Sequence, residues 1–278
     1  MNLVIQATHS IAAVHLIHLA GLAQAKQREQ IAEYAYRLTE AQAHPDIARY
    51  CFEHKLDYGF VPCGRSLKDF GLLVTDMDST LITIECIDEI ADMQGLKPQV
   101  AAITESAMRG EIDFAESLRR RVALLEGLDE SAQQRVYDER LRLSPGAETM
   151  IEALHAQGIK ILLVSGGFLF FTERLKPRLG LDFTHANTLE VAGGKLTGKV
   201  LGKIFDAQGK ADWLVKIRGE LGLEPEQVIA MGDGANDLKM MAQAGVSIAY
   251  HAKPVVREQA SYALNFVGLD GLVNLLAR

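Results

Sequence analysis

Residues 72 to 81 read Leu72-Leu73-Val74-Thr75-Asp76-Met77-Asp78-Ser79-Thr80-Leu81, and the rest of the chain is read outward from them. The apolar β-forming run Leu72 to Val74 reads as a buried strand. It leads into two aspartates one residue apart. Two carboxylates at the end of a buried strand repel one another and resist leaving water, so a divalent cation or a proton is needed to offset the cost. A strand end capped by a turn fits the same residues, because Asp and Ser favour turns. The choice depends on partners elsewhere.

From Pro145 onward the pattern alternates between strands and helices. A helix over 147–157 ends at Gly158. A buried strand over Ile161 to Val164 runs into Ser165-Gly166-Gly167, followed by an apolar helix from Phe168. A strand near Phe183 and a hairpin turning at Gly193-Gly194 come next. Lys210 opens a helix with Trp213, Leu214, Ile217 and Leu221 as its apolar positions. The strand Val228 to Met231 ends in Gly232-Asp233-Gly234-Ala235-Asn236-Asp237, and strands over 246–250 and 264–267 follow. Alternation of this kind predicts a parallel sheet with helices on both faces. Ligands bind at the carboxyl ends of such strands, so Asp76, Asp78, Ser165, Asp233 and Asp237 are expected to converge. Their carboxylates suit Mg²⁺. Ser165 with two glycines at a helix start, together with Lys210, suits phosphate oxygens. Zinc-type His/Cys spacing and a Walker-type loop are both missing from the sequence. Together these features argue for phosphoryl transfer.

Composition narrows the class. The chain has 278 residues, 48% hydrophobic and 23% charged, with a net charge of −7 and no long basic run, so nucleic acid and anionic membrane are poor partners. Cys51, Cys63 and Cys86 form no paired framework, which fits a reducing cytoplasmic setting. The first 27 residues are apolar but interrupted by His9, His15 and His18, and they read as neither a membrane span nor a signal peptide. Residues 1–68 are expected to form a small α+β accessory domain, with strands over 3–5 and 58–61 and helices over 11–25 and 28–41. The second helix rests on Ile31, Tyr34, Ala35 and Leu38 falling on one face. Its scattered histidines read as structural or exposed.

Residues 69–278 form the main domain, and within it residues 84 to about 140 carry only helical patterns, expected over 85–95, from Pro98 to Gly110, and over 114–125. On the last helix, at about 100° per residue from Phe114, Leu118, Val122 and Leu125 fall at about 40°, 80° and 20°, and Arg121 at about −20°. A guanidinium in an apolar stripe calls for an anionic partner. A structural ion pair, a snorkelling side chain and an anion site facing a cleft all fit that position.

Asp76-Met77-Asp78-Ser79-Thr80, Ser165-Gly166-Gly167, Lys210 and Gly232 to Asp237 resemble the four motifs of the haloacid dehalogenase superfamily of phosphohydrolases. Glu85-Cys86-Ile87-Asp88-Glu89, the helix with Met108, Phe114 and Arg121, and Tyr250-His251-Ala252-Lys253-Pro254 resemble its phosphoserine phosphatase branch. The resemblance covers about residues 70 to 278. It implies a Rossmannoid parallel sheet with an inserted helical-bundle cap at 84–140. It also implies hydrolysis of O-phosphoserine, the last step of serine biosynthesis, through an aspartyl-phosphate. Asp76 is then the nucleophile and Asp78 the general acid and base. Mg²⁺ is held by Asp76, the Asp78 backbone carbonyl and Asp233, with Asp237 orienting that shell. Ser165, Gly166, Lys210 and Asn236 contact the phosphate, Glu85 the substrate ammonium and Arg121 its carboxylate, with Met108 and Phe114 closing the apolar side. A homodimer is the assembly the resemblance allows. Action on another small phosphomonoester, phosphotransfer to an alcohol, and an amino-acid-sensing protein with a vestigial site are the other readings. Regulation by residues 1–68 stays open beside them.

Overall fold

The structure, a computed structural model, describes residues 1–277, apart from the side chain of Met108. The expectation that Met108 lines the pocket therefore lies outside the described residues. The amino-terminal unit runs β1 (Asn2–Gln6), α1 (Ala13–Leu22), β2 (Gln27–Ala32), β3 (Ala35–Thr39), α2 (Pro45–Glu53) and β4 (Asp57–Val61). Its strands form an antiparallel sheet in the order β2-β3-β1-β4. Strand alternation divides β1. Leu3 and Ile5 join Leu16, Leu19, Leu38, Ile47 and Cys51 under the two helices, while Val4 points to the other face and joins the core of the main domain.

The helix expected over 28–41 does not form. Those residues make the hairpin β2–β3, turning at Glu33 and Tyr34. The 3.6-residue spacing of Ile31, Tyr34, Ala35 and Leu38 is real, but pairing of β3 with both β1 and β2 satisfies the backbone and buries Ala35 and Leu38 completely. Helix α2 went unrecognised, although Pro45 at its first turn followed by Asp46 is a start signal.

The main domain begins with β5 (Leu72–Thr75). The cap follows as α3 (Cys86–Asp92), α4 (Lys97–Met108), α5 (Phe114–Ala123) and α6 (Ser131–Arg135). The chain then returns through α7 (Ala147–Ala156), β6 (Lys160–Phe168), α8 (Leu169–Leu179), β7 (Phe183–Ala192), β8 (Lys195–Leu201), α9 (Ala207–Glu220) and β9 (Val228–Gly232). It closes with α10 (Leu238–Met241), β10 (Val246–Tyr250), α11 (Pro254–Arg257), β11 (Tyr262–Leu264) and α12 (Gly271–Leu275). The seven strands lie in the order β11-β10-β9-β5-β6-β7-β8, all parallel except the β7–β8 hairpin. The strand near Phe183 and the first arm of the hairpin are one strand.

Strand β5 is central and covered on both faces. Leu72 and Val74 pack into one hydrophobic cluster, and Leu73 into the other. That double burial is why its sequence is continuously apolar. Each such side chain contributes about 1.5–3 kcal/mol on leaving water. The cap leaves and rejoins the sheet through two adjacent strands of chain, where Thr83 N–H donates to Arg142 O at 3.0 Å and Ser144 N–H to Leu81 O at 3.0 Å. Among the described residues no helix is long and apolar enough to cross a membrane.

Candidate active site

Parallel pairing of β5 with β6 and β9 brings the three polar strand ends together. Asp76, just past β5, donates its backbone N–H to Met231 O at 3.0 Å and is only 4% exposed. Lys210, placed by α9 and 1% exposed, donates to Asp76 Oδ1 at 2.6 Å and to Asp237 Oδ1 at 2.7 Å. Asp76, Asp233 and Asp237 each present a carboxylate oxygen, all within 4.8 Å of one another.

Burial, and then the Asp237 charge, push the Asp76 carboxyl well above the ordinary range, against the pull of Lys210. Burial pulls Lys210 down, but Asp237 and Asp76 outweigh it and keep the ammonium protonated. Lys210 is an ammonium that touches two carboxylates, and one positive charge cannot neutralise three carboxylates. The surplus negative charge must be met by a proton or a cation. Clustered oxygens of this kind are the donor set a hard divalent cation prefers. Asp233 is pushed up to about 6, by burial first and then by Asp237, opposed by Lys210, the Thr80 hydroxyl and Lys253.

Asp78 faces a different set of groups. Its Oδ1 accepts the Cys86 N–H at 2.9 Å and its Oδ2 the Ser165 hydroxyl at 3.1 Å. Burial still raises its carboxyl, with those donors working against the rise. Gly167 N–H donates to Ser165 Oγ at 2.8 Å, and a Cβ on Gly167 would stand 2.6 Å from Asp78 Oδ2, so only glycine fits there.

The expectation that Ser165 opens a helix needs correction. Strand β6 continues to Phe168 and the helix starts at Leu169. Its register against β7 slips between Ser165 and Phe168, so a bulge rather than a helix terminus turns the Gly166-Gly167 backbone toward the site. Ser165 is fully buried and hydrogen-bonded to Asp78, while Gly166 and Gly167 line the cavity.

Between cap and sheet lies a cavity of about 440 Å³, large enough for a small molecule. Asp76, Asp78 and Asp233 form its floor, with Gly234 and Asn236 beside them, and Glu85, Phe114 and Arg121 reach it from the cap. Phe114 lies over Gly166, where a Cβ would meet its ring at 3.0 Å. The Arg121 Nε is buried and has no hydrogen-bond partner among the described residues. Burial pushes the guanidinium below its ordinary range, and Asp88, Glu85 and Asp78 push back. Of the readings open for Arg121, a snorkelling side chain is removed, because the group is held inside. Glu85 sits at the amino-terminal edge of α3 and accepts the Ser79 hydroxyl at 2.7 Å. Its carboxyl, crowded by protein yet open to cavity water, is pushed up to about 8 by burial and then by Asp78.

Four residues near the site went unassigned in the sequence. Thr80 Oγ1 donates to Asp233 Oδ1 at 3.3 Å, Ser79 adopts φ +56° to hold Glu85, and Asp88 and Lys253 line the cavity. The hydroxyls of Ser79 and Thr80 directly after Asp78 were the available signal. Asp88 and Lys253 carry no such signal, since a single charge beside a helix reads as an ordinary surface residue.

A family model of haloacid dehalogenase-like hydrolases matches residues 70–245, and one of a domain of unknown function, DUF4072, matches residues 3–47. A phosphoserine phosphatase of Polaromonas sp. is 56% identical over 215 residues, covering 76% of this chain and 91% of that protein. The unliganded crystal structure of a probable phosphoserine phosphatase from Vibrio cholerae superposes with a TM-score of 0.87 at 39% identity, over 99% of this chain and 86% of that one. A substrate-bound phosphoserine phosphatase structure matches with a TM-score of 0.70 at 38% identity, over 74% of this chain and 98% of that one.

Proposed function

The chain belongs to the phosphoserine phosphatases within the haloacid dehalogenase-like hydrolases, and from that premise we propose that it hydrolyses O-phospho-L-serine to serine and phosphate through an aspartyl-phosphate. Arg121 carries the substrate reading. A half-buried arginine in the cavity wall, with a buried Nε that has no partner among the described residues, suits a carboxylate. Glu85 is the partner for the ammonium, and Phe114 closes the apolar side. A phospho-aspartyl intermediate analogue has been solved for a related phosphoserine phosphatase, 39% identical over 74% of this chain.

In the first step a carboxylate oxygen of Asp76 attacks phosphorus, the bond from phosphorus to the serine oxygen breaks, and Asp78 delivers its proton to that oxygen. The raised Asp78 carboxyl supports the role of acid. In the second step Asp78, now a carboxylate, takes a proton from water as the water attacks phosphorus. The bond to Asp76 breaks and phosphate leaves. Lys210 holds Asp76 and Asp237 in place behind the cavity wall and supplies positive charge there, while Gly166, Gly167 and Asn236 line the cavity beside Asp76. Ser165 acts through its hydrogen bond to Asp78.

Asp76, Asp233 and the Asp78 backbone carbonyl would hold Mg²⁺, with Asp237 fixed behind them by Lys210 and the Gly234 N–H. When bound, the ion supplies positive charge that neutralises the phosphoryl group. Free Cys51, Cys63 and Cys86 fit a cytoplasmic enzyme. The test is phosphate release from O-phosphoserine and from phosphoethanolamine, each with Mg²⁺ and with chelator. Turnover of phosphoserine alone, lost on chelation, is expected. Equal turnover of the two substrates would remove Arg121 from the carboxylate site.

A further inference from the structure

A run of hydrogen bonds leads from the accessory domain to the metal-side aspartate. Asp57, the first residue of β4, is 1% exposed. Its Oδ1 accepts the backbone N–H of Asn265 at 2.7 Å and the Asn265 side-chain amide at 3.1 Å, and its Oδ2 accepts the N–H groups of Phe266 at 2.8 Å and Val267 at 2.9 Å. Three successive peptides after β11 therefore depend on one carboxylate from the other domain. The Val267 carbonyl, which can only accept, takes the Nε2 proton of His251 at 2.9 Å, and the His251 backbone N–H donates to Leu264 O at 2.7 Å. His251 stands at φ +44°, in the left-handed region that costs a non-glycine residue about 1–2 kcal/mol. Its two bonds hold it there. Two residues on, Lys253 N–H donates to the backbone carbonyl of Asp233 at 3.2 Å.

We infer that Asp57 and His251 are positioning residues for Asp233. Asp57 fixes the turn over 265–267, that turn fixes His251, and the left-handed turn at His251 seats the Lys253 amide on the Asp233 backbone. The accessory domain thereby serves as a buttress for the catalytic site. Asp57 pins a segment of the neighbouring domain rather than its own sheet, and α12 is held in parallel by Gln6, whose amide donates to Gly271 O at 3.1 Å. The consequence for metal affinity rests on the proposed role of Asp233 as a metal ligand.

The test uses the full chain with His251→Ala, Asp57→Asn and the double variant. Amide hydrogen exchange at Lys253 is expected to speed up about tenfold in each. Mg²⁺ affinity by calorimetry should weaken roughly three- to tenfold, less than loss of a direct ligand partner costs. At saturating Mg²⁺, kcat and the KM for phosphoserine stay within about twofold of wild type, a split that general destabilisation would not produce. His251→Gln, which keeps an N–H donor, should recover part of the loss. The double variant should lose no more than the worse single variant, since both lie on one chain of contacts. Unchanged exchange at Lys253 in folded His251→Ala, or losses that multiply in the double variant, would overturn the inference. If the wild-type chain binds no Mg²⁺, the metal reading of Asp233 falls, and the exchange measurement alone decides whether the buttress exists.

Discussion

Asp76 and Asp57 are both almost out of water, 4% and 1% exposed, yet their surroundings are arranged in opposite ways. Among the described residues Asp57 has no cation partner. Four donors saturate its two oxygens, and burial still lifts its carboxyl somewhat above the usual range. Asp76 shares one ammonium with Asp237, faces further carboxylates, and keeps its edge on a cavity. A carboxylate whose hydrogen bonds are complete holds structure and has nothing left to offer a ligand. One left with like charges and open space is costly to the fold and available for chemistry. Strain of this kind at a functional site is maintained by the well-packed sheet beneath it.

The largest effect expected is on Asp76→Asn. Turnover of phosphoserine should fall by about 10⁴-fold or more, because the amide cannot attack phosphorus, while the melting temperature changes little since one like charge is removed from the cluster. A large drop in melting temperature would mean that Asp76 is structural and would break the comparison. Arg121→Ala should cost about 10- to 150-fold in kcat/KM on phosphoserine, the worth of a charge-assisted hydrogen bond of about 1.5–3 kcal/mol, with little loss on p-nitrophenyl phosphate.

Asp57→Asn is the mirror case. Its amide turns a donor toward buried N–H groups, so unfolding in denaturant should show about 1.5–3 kcal/mol less stability, with kcat retained at saturating Mg²⁺. Loss of kcat without loss of stability would erase the distinction between the two carboxylates. The smallest effect is one of pH. Glu85, pushed up to about 8, is neutral below that value and charged above it, so its attraction for an ammonium grows as pH rises. The KM for phosphoserine should fall as pH rises through about 8, and Glu85→Gln should flatten that component.

Much of the main domain could be read from its residues because a strand buried on both faces announces itself as an apolar run, and Leu72 to Val74, Ile161 to Val164 and Val228 to Met231 are such runs. The accessory domain was harder for the same reason inverted. Its edge strand β2 is Gln-Arg-Glu-Gln-Ile-Ala, exposed along most of its length, and the spacing beyond it imitates a helix. Within the site, the aspartates were identifiable because charged groups at strand ends need partners, and Lys210 because a phosphate site needs a cation. The bulge at Gly166-Gly167 was not, since it arises from register with β7. Arg121 stood out as a charge in an apolar stripe, whereas Asp88 and Lys253 look like ordinary surface residues until the chain closes around the cavity.

Residue types and their spacing alone therefore determined the parallel sheet, the convergence of Asp76, Asp78, Ser165 and Asp233, and a chemistry of phosphate and hard cation. These follow from short-range rules of period and charge. Tertiary structure decided which donors each carboxylate meets. It left the Arg121 Nε without a partner, shared Lys210 between Asp76 and Asp237, and joined Asp57 to peptides more than two hundred residues away. A carboxylate's behaviour depends on its neighbours within a few ångströms, and contacts across such separations exist only once the chain has closed on itself.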